Sequence, residues 1–175
     1  MIVIFRDLVI MIIKSTFFSI LFSLVAIGIL ASIFFKKFLW GILAIMPLTA
    51  SVILDFGFMG YFGIELSHVT AILSSIIIGV GVDFAIHYIA QFRRLSRTIK
   101  EDKLSREVME DVGYPIVLDA VSNMGFGALL FSSFLPIQYI GGLMIFAMVS
   151  TAFGTLTVLS AMVEILKKRL IEKRK

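Results

Sequence analysis

The sequence contains no cysteine, so no disulfide can form and no thiolate can bind a metal ion. Its only histidines are His68 and His87, which leaves little imidazole for metal or redox chemistry. Charged residues make up 16% of the 175 positions, compared with about 25% in soluble proteins. We therefore expect no disulfide framework, no metal site and no cofactor.

Apolar residues are abundant instead. They make up 59% of the chain, and the mean hydropathy is +1.05. Soluble proteins average about 45–50% apolar residues, so this composition predicts an integral membrane protein whose surroundings are the lipid bilayer. The net charge of +4 does not predict nucleic-acid binding, because the basic residues flank apolar runs. The spacings of a serine–histidine–aspartate triad and of a phosphate-binding loop are absent, so no enzyme is expected.

Five apolar runs are long enough to cross the bilayer, which takes about 20 helical residues. The predicted all-α fold is a five-helix transmembrane bundle with spans at 15–35, 39–62, 69–92, 115–134 and 139–163. Residues 1–14 are expected to be the tail of an outward-facing segment that leads into the first span, and residues 164–175 form a basic tail. No cleavable signal peptide is predicted, because Arg6 and Asp7 interrupt the first apolar residues.

The connector at 93–113 differs from the spans because it interleaves basic and acidic residues. Within it, Leu104, Val108 and Val112 recur every four residues, opposite charged positions. This pattern predicts a cytoplasmic helix that lies on the membrane surface. A solvated connector is the alternative.

The basic residues predict the orientation. All but Arg6 and Lys14 of the 16 lysines and arginines fall in the first turn, in the connector at 93–113 or at the C-terminus. By the positive-inside rule these parts are cytoplasmic, and the N-terminus lies outside a multi-pass protein of the cytoplasmic membrane. An external N-terminus and an odd number of spans indicate a piece of, or a partner to, something longer.

Three acids, Asp55, Asp83 and Asp119, lie within predicted spans. Each costs roughly 2.5–3.5 kcal/mol on insertion scales, which makes it a candidate functional residue. Measured from the cytoplasmic ends, Asp119 lies about 6 Å deep, Asp83 about 12–14 Å and Asp55 about 22 Å. Asp83 is nearest the midplane and is therefore the leading candidate.

Gly79, Asp83 and His87 stand four residues apart and share one helix face. Gly79 and Gly81 are predicted to let a partner helix approach closely. His87 is predicted either to exchange protons with Asp83 or to anchor the helix at the membrane interface. The two roles stay open at this point.

Polar residues on two other helices fall at a similar depth. Asn123 and Thr155 both lie about 12 Å from the cytoplasmic end of their spans. They are predicted to hydrogen-bond a carboxyl group that gains and loses a proton, with Asp119 as a further member of the relay. Ordinary hydrogen bonding between helices, worth about 0.6 kcal/mol each, is the alternative.

Four stretches together resemble the RND superfamily, specifically the MMPL-like exporters, over nearly the whole chain. They are Ile45–Leu48, Gly57–Ile64, Gly79–Tyr88 and Asn123–Ser132, in this order and spacing. The resemblance implies that the five spans correspond to the last five helices of a twelve-helix protein. It also implies that residues 1–14 end a large outward porter domain.

The resemblance assigns Asp83 to a proton relay. MMPL-like members often follow this acid with tyrosine, whereas Phe84 follows it here, so that hydroxyl is missing. The last helix of the family commonly ends in a proline-containing sequence, and Leu159–Met162 has no proline. Five-helix sterol-sensing modules share the same architecture.

The leading functional prediction is therefore the membrane half of a proton-driven exporter of lipids or other hydrophobic compounds. Its expected partners are the bilayer, the N-terminal half with its porter domains or a second copy, and a hydrophobic substrate, in an oligomeric assembly. A lipid- or sterol-sensing scaffold module that transports nothing is the alternative.

Overall fold

The computed structural model describes the backbone of residues 2–172, and within it every side chain except those of residues 2–5, 68, 69, 71, 101, 102, 169, 171 and 172. The described residues form helices and short connections, as the sequence predicts for an all-α protein. The α-helices are α1 (Ile2–Phe35), α2 (Phe38–Tyr61), α3 (His68–Leu95), α4 (Glu101–Asn123), α5 (Leu135–Gly154) and α6 (Ser160–Glu172). A 3₁₀ segment (Met124–Phe131) follows α4, and a π-helical segment (Thr155–Leu159) joins α5 to α6.

Five helical stretches in the described part of the chain are long and apolar enough to cross a membrane. They are Arg6–Phe35, Phe38–Tyr61, Ile72–Leu95, Lys103–Phe131 and Leu135–Lys168. The predicted five-helix bundle is therefore confirmed, and the last span combines α5, the π-helical segment and α6. Helix α1 already includes residues 2–14, which precede the predicted first span.

Helices α2, α3 and α5 form the centre of the bundle. Half of the most apolar stretch of α3 and of α5 is buried, compared with 6% of that stretch in α1 and 11% in α4. The other two helices therefore flank the centre and leave apolar surface exposed. Such surface is stable only against lipid or another protein, since burial of apolar area from water is the main favourable term in folding.

Helices α1 and α2 form a tight hairpin. Lys36 turns the chain with a positive φ of 55°. Beyond the turn, a Cβ atom on Gly41 would lie 2.3 Å from the carbonyl oxygen of Gly28, so only glycine permits this approach of the two backbones. Phe35, Trp40 and Phe92 then pack as a buried aromatic cluster that joins the hairpin to α3. We call this end of the bundle, which also holds residues 93–113, the basic end.

The connector differs from the prediction of a separate surface helix. Helix α4 runs without a break from Glu101 through Pro115 to Asn123, so the connector and the fourth span share one helix. Leu104, Val108 and Val112 do share one face, but that face is buried against the rest of the bundle. The four-residue period therefore reflects helix packing within the protein and leaves no apolar stripe for the membrane surface.

Candidate functional site

The three residues singled out on α3 lie on the outside of the unit. Gly79, Asp83 and His87 are all exposed, and Asp83 has no hydrogen bond or ion pair with any residue that the structure describes. The carboxyl group of Asp83 therefore does not face the other helices that the structure describes. Asp83 nonetheless lies at the middle of the span Ile72–Leu95, far from either end.

The two glycines of this stretch have different surroundings. A Cβ atom on Gly81 would lie 2.7 Å from Cγ2 of Thr151 and 2.8 Å from Cδ2 of Leu48. A Cβ atom on Gly79 would meet nothing within 4 Å. Gly81 therefore allows α2, α3 and α5 to meet closely, whereas Gly79 lies on the open face beside Asp83.

A polar groove separates α3 from α4 below Asp83, toward the basic end. It contains an open cavity of about 550 Å³. Its polar lining residues are His87, Gln91, Arg94, Asp111 and Asp119. Gln91 Nε2 donates a hydrogen bond of 2.5 Å to Asp111 Oδ2, and the guanidinium of Arg94 lies 3.8 Å from the same oxygen. His87 and Asp119 therefore line the same cavity, which is large enough to hold water molecules.

The hydrogen bond between Gln91 and Asp111 shows which residues of the two antiparallel helices lie at one level. Two turns further along each helix, about 12 Å away, stand Asp83 on α3 and Asp119 on α4. The two acids therefore lie at a similar level of one exposed surface. We call this surface, formed by Gly79, Asp83, His87, Asp119 and Asn123, the acidic face.

Asn123 contacts Asp119, as expected for residues one turn apart. Its Nδ2 donates to the carbonyl oxygen of Asp119 at 3.0 Å and to the carboxylate oxygen Oδ1 at 3.2 Å. Asn123 thus holds the Asp119 side chain beside the end of α4, where the helix tightens into the 3₁₀ segment. A 3₁₀ run of this length is uncommon and often marks a hinge.

Thr155 lies elsewhere, within the bundle. It is completely buried, and its hydroxyl has no hydrogen-bond partner. It begins the π-helical segment directly after Gly154, which packs against Pro47 of α2. π-Helical segments often occur at functional sites, so Thr155 remains a candidate relay residue. Its placement separates it from the exposed carboxyl group of Asp83.

Among the acids whose side chains the structure describes, Asp55 is the buried one. Its side chain is 4% exposed, and its Oδ1 atom has no hydrogen-bond partner among the described residues. The sequence ranked it below Asp83 because it lies nearer the end of its span. One signal was available: Asp55 continues a four-residue repeat with Ser51 and Met59 that is buried along α2.

Cofactor and metal sites were not expected. Among the described side chains, no group of three or more histidine, cysteine, aspartate and glutamate residues is placed to hold a metal ion. The polar residues of the acidic face are carboxyl, imidazole and amide groups, which bind and release protons or donate hydrogen bonds. This chemistry fits proton exchange.

Comparison with known proteins identifies relatives. Residues 33–174 match the family model described as the sterol-sensing domain of SREBP cleavage-activation. A protein of Methanocaldococcus jannaschii whose name assigns it to the membrane is 31% identical over 121 residues. That match covers 67% of this chain and 31% of the relative, so the chain spans about a third of the relative's length. Because the family model covers most of the chain, the protein belongs to the sterol-sensing domain family.

Proposed function

We propose that this chain is the membrane half of a proton-driven exporter of the RND superfamily, similar to the MMPL-like members. In this proposal it exports lipids or other hydrophobic compounds and catalyses no covalent reaction. The observation that carries the proposal is the position of Asp83, an acid at the middle of a span that is exposed and unpaired in the described part of the chain. Asp83 is the group that gains and loses the transported proton.

Exposure of Asp83 to lipid would cost roughly 2.5–3.5 kcal/mol without compensation. A second set of helices, from the N-terminal half or from another copy, removes this cost if it brings polar groups to the acidic face. Gly79 beside Asp83 leaves room for such a helix, because nothing lies within 4 Å of the position of its missing Cβ. In repeat-built transporters the site lies at the interface of the two halves, and one half moves against the other.

Protons reach the acidic face from the basic end in this proposal. His87 and Asp119 line the same cavity, and Asn123 holds the carboxylate of Asp119. Loss of the proton from Asp83 leaves a charge at a site of low dielectric constant, which changes how strongly the two halves attract each other. This change drives the outward domains that select the substrate.

Two further features support the proposed assembly and its orientation in the membrane. The chain matches only 31% of the length of its archaeal relative, so the relative contains further sequence outside the match. The basic residues concentrate at one end of the bundle, which the positive-inside rule places in the cytoplasm. We infer that the chain sits in the cytoplasmic membrane with its N-terminus outside, next to a second helix set.

The test uses the longest native form of the protein, reconstituted in vesicles with a pH gradient. Asp83→Asn keeps the shape of the side chain and removes its titration, so substrate-coupled proton flux should fall at least tenfold. Asp7→Asn changes an exposed acid near the start of α1 and serves as the control. Undiminished flux in Asp83→Asn at equal protein content would remove Asp83 from the mechanism.

A non-transporting sterol- or lipid-sensing module is the second candidate function. Membership of the sterol-sensing domain family favours it. The two candidates differ in what Asp83→Asn does, because a sensor binds its lipid without moving protons. Saturable labelling by a photoreactive sterol that is unchanged in Asp83→Asn, together with absence of proton flux in the wild type, would favour sensing.

A further inference from the structure

Asp55 and Ser51 form a pair of buried polar side chains on α2. Asp55 is 4% exposed and Ser51 is 1% exposed. Neither Asp55 Oδ1 nor Ser51 Oγ has a hydrogen-bond partner among the described residues. The residues are one helical turn apart, so both side chains project from the same face of α2.

This face of α2 is closed by α1, α3 and α5. Leu48, one turn before Ser51, lies where a Cβ atom on Gly81 would touch it. Val52, beside Ser51, packs with Ile78 of α3 and Ile20 of α1 in a small apolar cluster. Asp55 therefore lies in a protein interface and not on the lipid-facing side of α2.

No charged side chain that the structure describes acts on Asp55 from the helices packed against it. Helix α1 carries Arg6, Asp7 and Lys14, all exposed. Helix α3 carries Asp83 and His87, both exposed, and Arg93 and Arg94 in its last turn at the basic end. It also carries Tyr88, whose hydroxyl lies beside Ser160 and Glu164 near the basic end. Helix α5 carries Tyr139 at its outer end.

An ionised carboxylate in such a place has neither a counter-charge nor a sufficient set of hydrogen-bond donors. The cost of burying an unpaired charge greatly exceeds the cost of burying a neutral carboxylic acid. A bound proton removes the charge, and the neutral acid that remains costs much less to bury.

We propose that Asp55 is a second proton-binding site, enclosed within the five-helix unit, which keeps its proton as long as α2 stays packed against α3 and α5. The site is separate from the acidic face and does not rest on the export proposed for Asp83. Release of the proton requires the entry of water or a cation, and hence separation of α2 from its neighbours. The proton on Asp55 therefore stabilises the closed arrangement of these three helices.

Infrared spectroscopy tests this inference directly, because a protonated carboxyl group has a carbonyl stretching band that a carboxylate lacks. The full chain is purified in a maltoside detergent, which has no carbonyl group of its own. At neutral pH the wild-type spectrum should contain this band, and Asp55→Asn should lose it. Asp83→Asn, the matched control on the exposed face, should keep it. Ser51→Ala should also keep it, because Ser51 makes no hydrogen bond to Asp55.

Slow exchange provides a second measurement. After transfer to heavy water, deuterium should replace the proton of an enclosed carboxyl group only slowly. The frequency of its carbonyl band should therefore shift slowly. Fluorescence of Trp40, which is the only tryptophan and is 2% exposed, reports whether each variant is folded. If Asp55→Asn fails to fold, isotope-labelled aspartate is incorporated into the wild type and into the variants Asp83→Asn and Asp119→Asn. The labelled carbonyl band of the wild type should persist in both variants.

Two results would overturn the inference. The first is a wild-type spectrum without a protonated aspartate band in folded protein at neutral pH, which would mean that Asp55 is ionised. The second is loss of the band on addition of sodium chloride but not of choline chloride, which would make the site a cation site. Neither result depends on transport, so the inference and the proposed function can fail separately.

Discussion

Gln91 on α3 donates a hydrogen bond of 2.5 Å to Asp111 on α4. This contact joins the cytoplasmic connector predicted from the sequence to the helix that holds Asp83. Both residues line the groove between α3 and α4. Asp83 and Asp119 lie on these two helices about two turns away from this contact.

The first prediction concerns this contact. Replacing Gln91 or Asp111 by alanine should each lower the free energy of unfolding, and the double variant should lose less than the sum. We expect a coupling energy of about 0.5–1 kcal/mol, because Asp111 is partly exposed and water competes for the bond. Thermal or denaturant unfolding of the four proteins in one detergent measures it. Strict additivity would show that the contact contributes nothing to stability.

The second prediction compares the two glycines of α3. Gly81→Ala should destabilise the bundle by about 1–3 kcal/mol, because the added methyl group overlaps Thr151 and Leu48. Gly79→Ala meets no atom within 4 Å, and it should raise stability by up to about 1 kcal/mol through helix propensity. Unfolding of both variants under identical conditions distinguishes them. Equal effects would contradict the packing of α2, α3 and α5 described above.

The third prediction concerns the amphipathic part of α4. Leu104 is fully buried, so Leu104→Ala should cost about 2–5 kcal/mol of stability. The control is Arg106→Ala, which removes only an exposed ion pair with Glu110 and should cost about 0.3–0.5 kcal/mol. A surface-lying helix predicts the opposite pattern: Leu104→Ala would weaken vesicle binding of this segment and barely change unfolding.

The fourth prediction concerns orientation. The chain has no cysteine, so single cysteines report position without interference. A cysteine at Thr98, in the exposed turn before α4, should be protected from an impermeant thiol reagent in intact cells. A cysteine at Ser133, in the exposed turn before α5, should react. Reaction at Thr98 and protection at Ser133 would invert the topology and remove support from the export proposal.

Local sequence properties determined the helical character of the chain and the number of spans. Apolar runs of about 20 residues specify membrane helices because backbone groups in lipid must be satisfied within the helix itself. The same local rule placed Asp119 and Asn123 in contact, since residues four apart in a helix are neighbours. These features needed no knowledge of how the helices pack.

Helix packing decided what the helical periods alone left open. Val108 and its neighbours in α4 follow a period that fits burial against protein as well as burial in a membrane surface, and only the contacts with the bundle distinguished the two. Gly79 and Gly81 are equivalent in the sequence, yet only Gly81 lies where α2 and α5 meet α3.

The acids show the same division. The sequence determined that Asp55 and Asp83 lie within spans, because depth follows from the rise per residue along a helix. It did not determine that Asp55 is enclosed and Asp83 exposed. Which face of a helix is buried depends on the helices that pack against it. The buried face depends here on the side chains of α2, α3 and α5 together, through contacts between residues far apart in the chain, and so only the tertiary structure decided it.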